Sequence, residues 1–151
     1  MKTIYLFLSL VIAAAAVAHA SEQKKEGSPS EVYQMFLIAL VEGDNATAER
    51  LVIPNKELSL LTSTPVPTEH RKEAIAAIKA TQYRVLKVGE VFTLPGGGTL
   101  SPTKEMEKKG WVMIGCDADP LPHMLQKIGG AWRIDVSDLI VARKAAAARK
   151  K

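Results

Sequence analysis

The chain has 151 residues, one cysteine and a formal net charge of +4. A single cysteine excludes an internal disulfide, so packing must hold the fold together. Five basic residues lie among the last nine positions, whereas residues 21–142 carry slightly more acidic than basic side chains. The body has no nucleic-acid-binding motif and no basic face with interleaved aromatic residues, so a nucleic-acid partner is not expected.

Residues 1–20 have the pattern of an export signal. Lys2 precedes an apolar run from Ile4 to Val17, and the segment ends in the small-x-small triplet Ala18-His19-Ala20. A membrane anchor is the alternative, but a spanning helix needs about 20 apolar residues and this run is shorter. We therefore expect a periplasmic or secreted protein, cleaved near Ala20, whose remainder has the size of one domain with one core.

The composition divides the mature chain into three parts. Residues 21–28 are polar and predict a flexible lead-in, residues 29–142 predict a single α+β domain, and residues 143–151 form a basic C-terminal tail. We interpret the tail as a solvated helix end, and weak contact with an anionic membrane is the alternative. Cys116 lies in the apolar run WVMIGC, which favours a buried small hydrophobe over a catalytic thiol.

The amino-terminal part of the domain predicts two helices. Ser28, Pro29 and Glu31 form a capping box with proline at the first helical position, and Gly43 ends the helix. Its apolar residues recur every three or four positions and are Val32, Tyr33, Phe36, Leu37, Leu40 and Val41. Asp44 or Asn45 then caps a shorter helix from Ala46 to Val52.

Residues 54–67 contain three prolines and predict a loop, with one helical turn around Leu58 to Leu61. A third helix is expected from about Thr68 to Ala80, and His70 near its start is interpreted as a solvated residue. Tyr83 to Leu94 lacks a helical stripe and predicts one long strand, bent at Gly89.

The remaining elements predict an antiparallel sheet and a last helix. Residues 99–110 are polar and carry no assignment, whereas Trp111 to Cys116 predicts a buried strand. The segment PLPHMLQKIGGAWRIDVS, residues 120–137, predicts a hairpin, and Ser137 or Asp138 begins a helix that enters the tail. Helices followed by antiparallel strands indicate an α+β fold class, with the N-terminal helices packed against the sheet.

The hairpin register decides which side chains face the core. A two-residue turn at Gly129-Gly130 places Leu125 opposite Ile134 and directs this mostly apolar face inward, together with His123. By the same register Arg133 points the other way. A three-residue loop would turn His123 to the opposite face.

Two stretches resemble a known superfamily. SPSEVYQMFLIALVEGDNATAERL resembles the opening of exported nuclear-transport-factor-2-like domains, and GGAWRIDVS is similar to their Gly-x-Trp-Lys-Ile-Asp strand. The resemblance implies a strongly curved antiparallel sheet wrapped around helices as a cone with a pocket at its open end. Such pockets serve small-molecule binding, isomerase or dehydratase chemistry, or partner contacts. The resemblance also implies a homodimer that pairs through the convex sheet.

Candidate site residues follow from the hairpin and from this resemblance. Asp117, Asp119 and His123 are candidates for acid-base chemistry, because a carboxylate near an imidazole supports proton transfer. The alternative is that the proline-rich stretch around them is only a turn into an edge strand. The candidates for lining a pocket are Tyr33, Phe36, Tyr83, Leu125, Trp132 and Ile134. No metal-binding spacing and no cofactor motif is present, so we expect neither a metal nor a cofactor.

Two functions of different classes are consistent with these residues. The favoured hypothesis is an exported noncatalytic module that binds an unknown small molecule or protein partner, because no convergent polar set is evident. The alternative is a small-molecule isomerase or lyase that uses His123 with a nearby carboxylate or tyrosine. The enzyme hypothesis requires that His123 point into a pocket within hydrogen-bond reach of such a group.

Overall fold

The computed structural model describes residues 27–94, 97–117 and 119–149. The predicted export signal and residues 21–26 of the predicted lead-in lie outside the described residues. The elements in chain order are α1 (Pro29–Glu42), α2 (Asn45–Leu51), α3 (Ser59–Thr62), α4 (Thr68–Ala80), β1 (Arg84–Val85), β2 (Phe92–Thr93), β3 (Thr99–Leu100), α5 (Lys104–Lys108), β4 (Trp111–Cys116), β5 (Asp119–Ile128), β6 (Ala131–Asp135) and α6 (Ser137–Ala148).

The fold is α+β, as the sequence predicts. Four strands form an antiparallel sheet in the order β1-β4-β5-β6, and β2 and β3 form a separate antiparallel pair. Helix α1 contacts β1, β4 and β6 of the sheet and also packs against α2 and α4. The helices that open the chain therefore lie against an antiparallel sheet built from its second half.

Helix α1 begins and ends where its capping residues predict. The Ser28 Oγ accepts a hydrogen bond from the Glu31 N–H, and the Glu31 carboxylate accepts one from the Ser28 N–H at 2.6 Å. Gly43 ends the helix in the left-handed region at φ +75°, which favours glycine. Local chemistry alone accounts for both ends of this helix.

Helix α2 is capped by Asp44, whose carboxylate accepts a hydrogen bond from the Thr47 N–H at 3.0 Å. Hydrogen bonds from Thr47 lower the pKa of the Asp44 carboxyl below its usual range. The predicted end of this helix at Val52 is wrong by one residue. Val52 is extended and bridges Ile134 of β6, and the neighbouring Ile53 N–H donates to the Ile134 carbonyl, so pairing with the sheet ends the helix.

The hairpin of β5 and β6 has the predicted two-residue turn. Gly129 and Gly130 have φ values of +58° and +87°, the positive pair that matches the twist of the flanking strands. Leu125 pairs with Ile134, as this register requires. Both side chains are fully buried, and His123 is buried on the same strand, so the prediction of an inward apolar face is confirmed.

The core lies between α1 and the sheet. Its fully buried large side chains are Tyr33, Phe36, Ile114, Leu125, Ile134 and Val136. Cys116 is a buried free thiol, as its apolar surroundings predict. In contrast, α4 has no buried residue, although it spans the predicted residues, and His70 on it is exposed as expected.

The prediction of one long strand from Tyr83 to Leu94 is wrong. Only β1 pairs with the main sheet, and the chain then turns at Gly89, whose φ is +85°. The Glu90 carboxylate holds this turn, accepting from the Lys87 N–H at 3.0 Å and pairing with Arg84 at 2.6 Å. Beyond it, β2 pairs with β3 in residues 99–110, a segment that carried no assignment. The chain thus leaves the main sheet after Leu86, whose N–H donates to the Met113 carbonyl of β4 at 2.9 Å.

Helix α6 follows the hairpin and packs against α3. It begins at Ser137, buries Ile140 and continues through Ala148, into the basic tail. Lys144 of the tail pairs with Glu57 at 2.5 Å between Nζ and Oε1. Among the described residues no helix is both long enough and apolar enough to span a membrane.

Candidate functional site

A buried imidazole and a carboxylate meet where β4 and β5 lose their regular register. The His123 Nε2 lies 2.7 Å from the Asp119 Oδ2, and the exposed fractions of the two side chains are 5% and 36%. In a regular strand, positions four apart are separated by about 13 Å, too far for a side-chain hydrogen bond. The irregularity opposite Ile114 and Cys116 shortens this path, because Ile114 pairs with His123 and Cys116 pairs with Asp119.

The second oxygen of Asp119 also has a partner. Its Oδ1 accepts a hydrogen bond from the Leu121 N–H at 3.0 Å, which is the Asx turn typical of aspartate before a change of chain direction. The carboxylate is therefore oriented by the backbone on one side and by the imidazole on the other. Sequence analysis placed Asp119 and His123 in one candidate group, and the structure brings these two together.

Two tyrosines extend the cluster towards α1 and β1. The Tyr33 ring stacks on the His123 imidazole, with centroids 4.6 Å apart and planes 20° apart. Tyr83 meets Tyr33 edge-on, with centroids 5.3 Å apart. Burial raises the pKa of Tyr33 far above its ordinary value, and the Asp119 charge raises it further. Burial also raises the pKa of Tyr83, so both phenols are protonated at neutral pH.

A cavity of about 410 Å³ lies beside this cluster, between the first turns of α1 and the ends of α4 and β4. Its lining includes Gln34, Tyr83, Arg84, Cys116 and Asp117 but neither His123 nor Asp119. Asp117 therefore lines this cavity, whereas the other two acid-base candidates, Asp119 and His123, do not. The imidazole lies behind the Tyr33 ring, which covers one of its faces.

A larger groove of about 890 Å³ lies between α1, the end of α2 and β6. We call it the Trp132 groove and define it by the lining residues Val32, Met35, Arg50, Leu51, Trp132 and Arg133. Its volume is within the usual range for small-molecule sites, which are mostly apolar with a few polar groups. The volume of the groove and its largely apolar lining both suit a binding surface.

Two basic side chains lie close to Trp132, one near its ring and one at its backbone carbonyl. The Lys127 Nζ lies 5.8 Å from the ring centroid, and the Arg133 Nη1 donates a hydrogen bond to the Trp132 carbonyl at 3.0 Å. The indole itself is half-buried and packs against the core. Part of the indole therefore packs against the core, and the rest borders the groove.

The six pocket-lining candidates have four different locations. Phe36, Leu125 and Ile134 fill the core and line neither cavity. Tyr33 stacks in the buried cluster, Tyr83 lines the smaller cavity, and Trp132 lines the larger groove.

Of the six residues that define the Trp132 groove, the sequence named only Trp132 as a pocket candidate, and the polar or exposed residues among the other five are Met35, Arg50 and Arg133. Met35 falls outside the apolar stripe of α1, Arg50 is an exposed helix residue, and the hairpin alternation directs Arg133 away from the core. No local signal identifies them, because the groove exists only where α1, α2 and the edge of β6 meet.

Within residues 27–94, 97–117 and 119–149, no group of three or more histidine, cysteine, aspartate or glutamate side chains is placed to hold a metal ion. Comparisons of the chain with protein-family models, with curated proteins and with solved structures found no match. The site must therefore be interpreted from its own geometry.

Proposed function

We propose that this chain is an exported, noncatalytic binding module whose small-molecule site is the Trp132 groove. We further propose that the sheet curves around the helices in the nuclear-transport-factor-2-like manner, as the resemblance of the two terminal stretches implies. The observation that carries the binding function is the groove itself, about 890 Å³ in volume, with the half-buried indole of Trp132 and the exposed side chain of Met35 on its lining.

The apolar lining supports ligand binding over a purely structural role. Met35 is 45% exposed in the groove although it lies on a helix whose other large apolar residues are mostly buried. Leu51 and Val32 connect this exposed surface to the core. A ligand with an apolar body would remove the Met35 and Trp132 side chains from water, which is favourable in proportion to the area covered.

A neutral apolar dye tests the binding function. N-phenyl-1-naphthylamine should bind the purified mature protein with increased emission, and Met35→Glu should abolish the increase, because a carboxylate in the groove would have to be desolvated by the dye. The matched control is Val141→Glu, since Val141 is 65% exposed on α6 and lies outside the groove. Equal dye binding by the two variants would refute the assignment to this groove.

The second candidate function is an isomerase or lyase that uses His123 as a general acid or base. The observation in its favour is the 2.7 Å contact between His123 and Asp119, which can orient the imidazole for proton transfer. Against it, the imidazole is almost completely buried and stacked on Tyr33. A substrate would have to displace the tyrosine ring.

Acylation by diethyl pyrocarbonate separates the two candidates. His70 is exposed and His123 is buried, so a His70→Gln variant of the mature protein leaves only the buried imidazole to react. For a binding module, we expect this imidazole to stay unmodified in the folded protein and to react after unfolding in urea. Acylation in the folded protein at a rate near that of His70 would favour the enzyme.

Export is a separate proposal and has a direct test. Residues 1–20 have the composition of a cleaved signal, so the protein recovered outside the cytoplasm should begin at Ser21. Intact-mass measurement decides this point. A mass that includes the first 20 residues would contradict the proposed cleavage.

A further inference from the structure

We infer that the Trp132 groove selects single-chain amphiphiles that carry a carboxylate, and this inference rests on the proposed binding function. Two guanidinium groups, those of Arg50 and Arg133, border the groove. The acidic residue among its described lining residues is Glu31, whose Oε2 accepts the Ser28 N–H at 2.6 Å in the helix cap. The balance of charge on the lining is thus positive.

The geometry of Arg133 suits a bound anion. One N–H of its guanidinium donates to the Trp132 carbonyl, which holds the group at the edge of the groove. A guanidinium has five N–H donors in a planar fork, so donors remain for a carboxylate. The Lys127 Nζ, 5.8 Å from the Trp132 ring centroid, adds positive potential near the indole.

The apolar part of the lining lies next to these cations. Val32, Met35 and Leu51 come from α1 and α2, and Trp132 comes from β6. A ligand that satisfies both parts has an apolar chain for the helix side and an anionic group for the arginines. A neutral chain would leave the arginines unused, and a cationic one would be repelled by them.

The probes are decanoate, decanol and decyltrimethylammonium, which share a chain length and differ in charge. The chain has two tryptophans, so Trp111→Phe makes the emission report on Trp132 alone. In this background we expect decanoate to bind about tenfold more tightly than decanol, the ratio expected for one additional charge-assisted hydrogen bond. Decyltrimethylammonium should bind more weakly than decanol.

Substitution of the arginines should remove the preference and preserve the groove. Arg50→Gln combined with Arg133→Gln should weaken decanoate binding about tenfold and leave decanol binding unchanged. Unchanged decanol binding also shows that the variant is folded. Arg143→Gln is the matched control, because Arg143 is exposed on α6 and lies outside the groove.

The outcomes separate the inference from the function on which it rests. Equal affinity for decanoate and decanol, or tightest binding of the cation, overturns the preference for carboxylates while the groove still binds apolar chains. Binding of none of the three probes overturns both the preference and the proposed function. A decanoate affinity that survives the double substitution assigns the anion to another surface and also overturns the inference.

Discussion

Leu125→Ala should destabilise the fold more than the same truncation of an exposed leucine on the same strand. Leu125 is fully buried and pairs with Val112 on one neighbouring strand and Ile134 on the other. Because strands enclose it on both sides, the cavity left by truncation cannot collapse easily. We expect a loss of about 3 to 4 kcal/mol in the free energy of unfolding, within the range for buried leucine.

The assay is urea unfolding followed by far-ultraviolet circular dichroism, with the midpoint read at an unchanged slope. For a domain of this length, the loss corresponds to a fall in melting temperature of about 12 to 16 °C. Leu121→Ala is the matched control, since Leu121 lies on β5 but is 38% exposed, and it should cost less than about 1 kcal/mol. Equal losses from the two substitutions would refute the assignment of the inward face.

Three further predictions concern the turns, the acid stability and the tail. Gly43→Ala should cost more than Gly89→Ala, because both residues have positive φ but only at Gly43 would the new Cβ meet Pro65, at 3.3 Å. The shared backbone cost is about 1 to 2 kcal/mol, and urea unfolding of both variants measures the difference. The hydrogen-bonded cap lowers the pKa of Asp44, so its stabilisation is complete above the ordinary aspartate pKa of about 3.9 and is lost as the pH falls through the lower folded value. Asp44→Ala should therefore destabilise the protein at neutral pH and flatten the loss of stability in acid, whereas an unchanged acid profile would contradict this role. Removal of residues 143–151 should lower any binding to anionic vesicles in low salt, and cosedimentation that is insensitive to the deletion would eliminate the tail as a membrane contact.

The predictions that hold depend on short stretches of chain. The capping box at Ser28, the glycine end at Gly43 and the two-glycine turn at Gly129 each involve neighbours within a few residues. Their hydrogen bonds and dihedral angles are therefore encoded locally. Burial of Leu125 and Ile134 followed from the same turn, because a fixed register decides the face of every residue along both strands.

The prediction of one long strand from Tyr83 to Leu94 failed because contacts with distant parts of the chain decide how this segment pairs. Tyr83 to Leu94 is rich in strand-forming residues, yet beyond Leu86 it leaves β4, and β2 pairs with the later β3. The Arg84 and Glu90 pair closes a turn at Gly89 between the two short strands, where the sequence predicts only a bend within one strand. Strand propensity describes what a segment can do, and an available partner decides where it pairs.

The candidate site likewise combines residues that the sequence indicates with an arrangement that only tertiary contacts produce. The hairpin and the family resemblance nominated His123, Asp119 and Tyr33, but their meeting requires the irregular register of β5 and the packing of α1 over it. The Trp132 groove was not foreseen as a whole, because its two arginines come from elements far apart in the chain.

By itself, the amino-acid sequence determined the two ends of α1, the hairpin turn and the inward face of β5, since each depends on the conformational preferences of adjacent residues. Only the tertiary structure decided which apolar side chains stay exposed, which carboxylate reaches the imidazole and where cations border an open groove. These properties depend on distances between separate elements, and packing sets those distances after the local elements have formed.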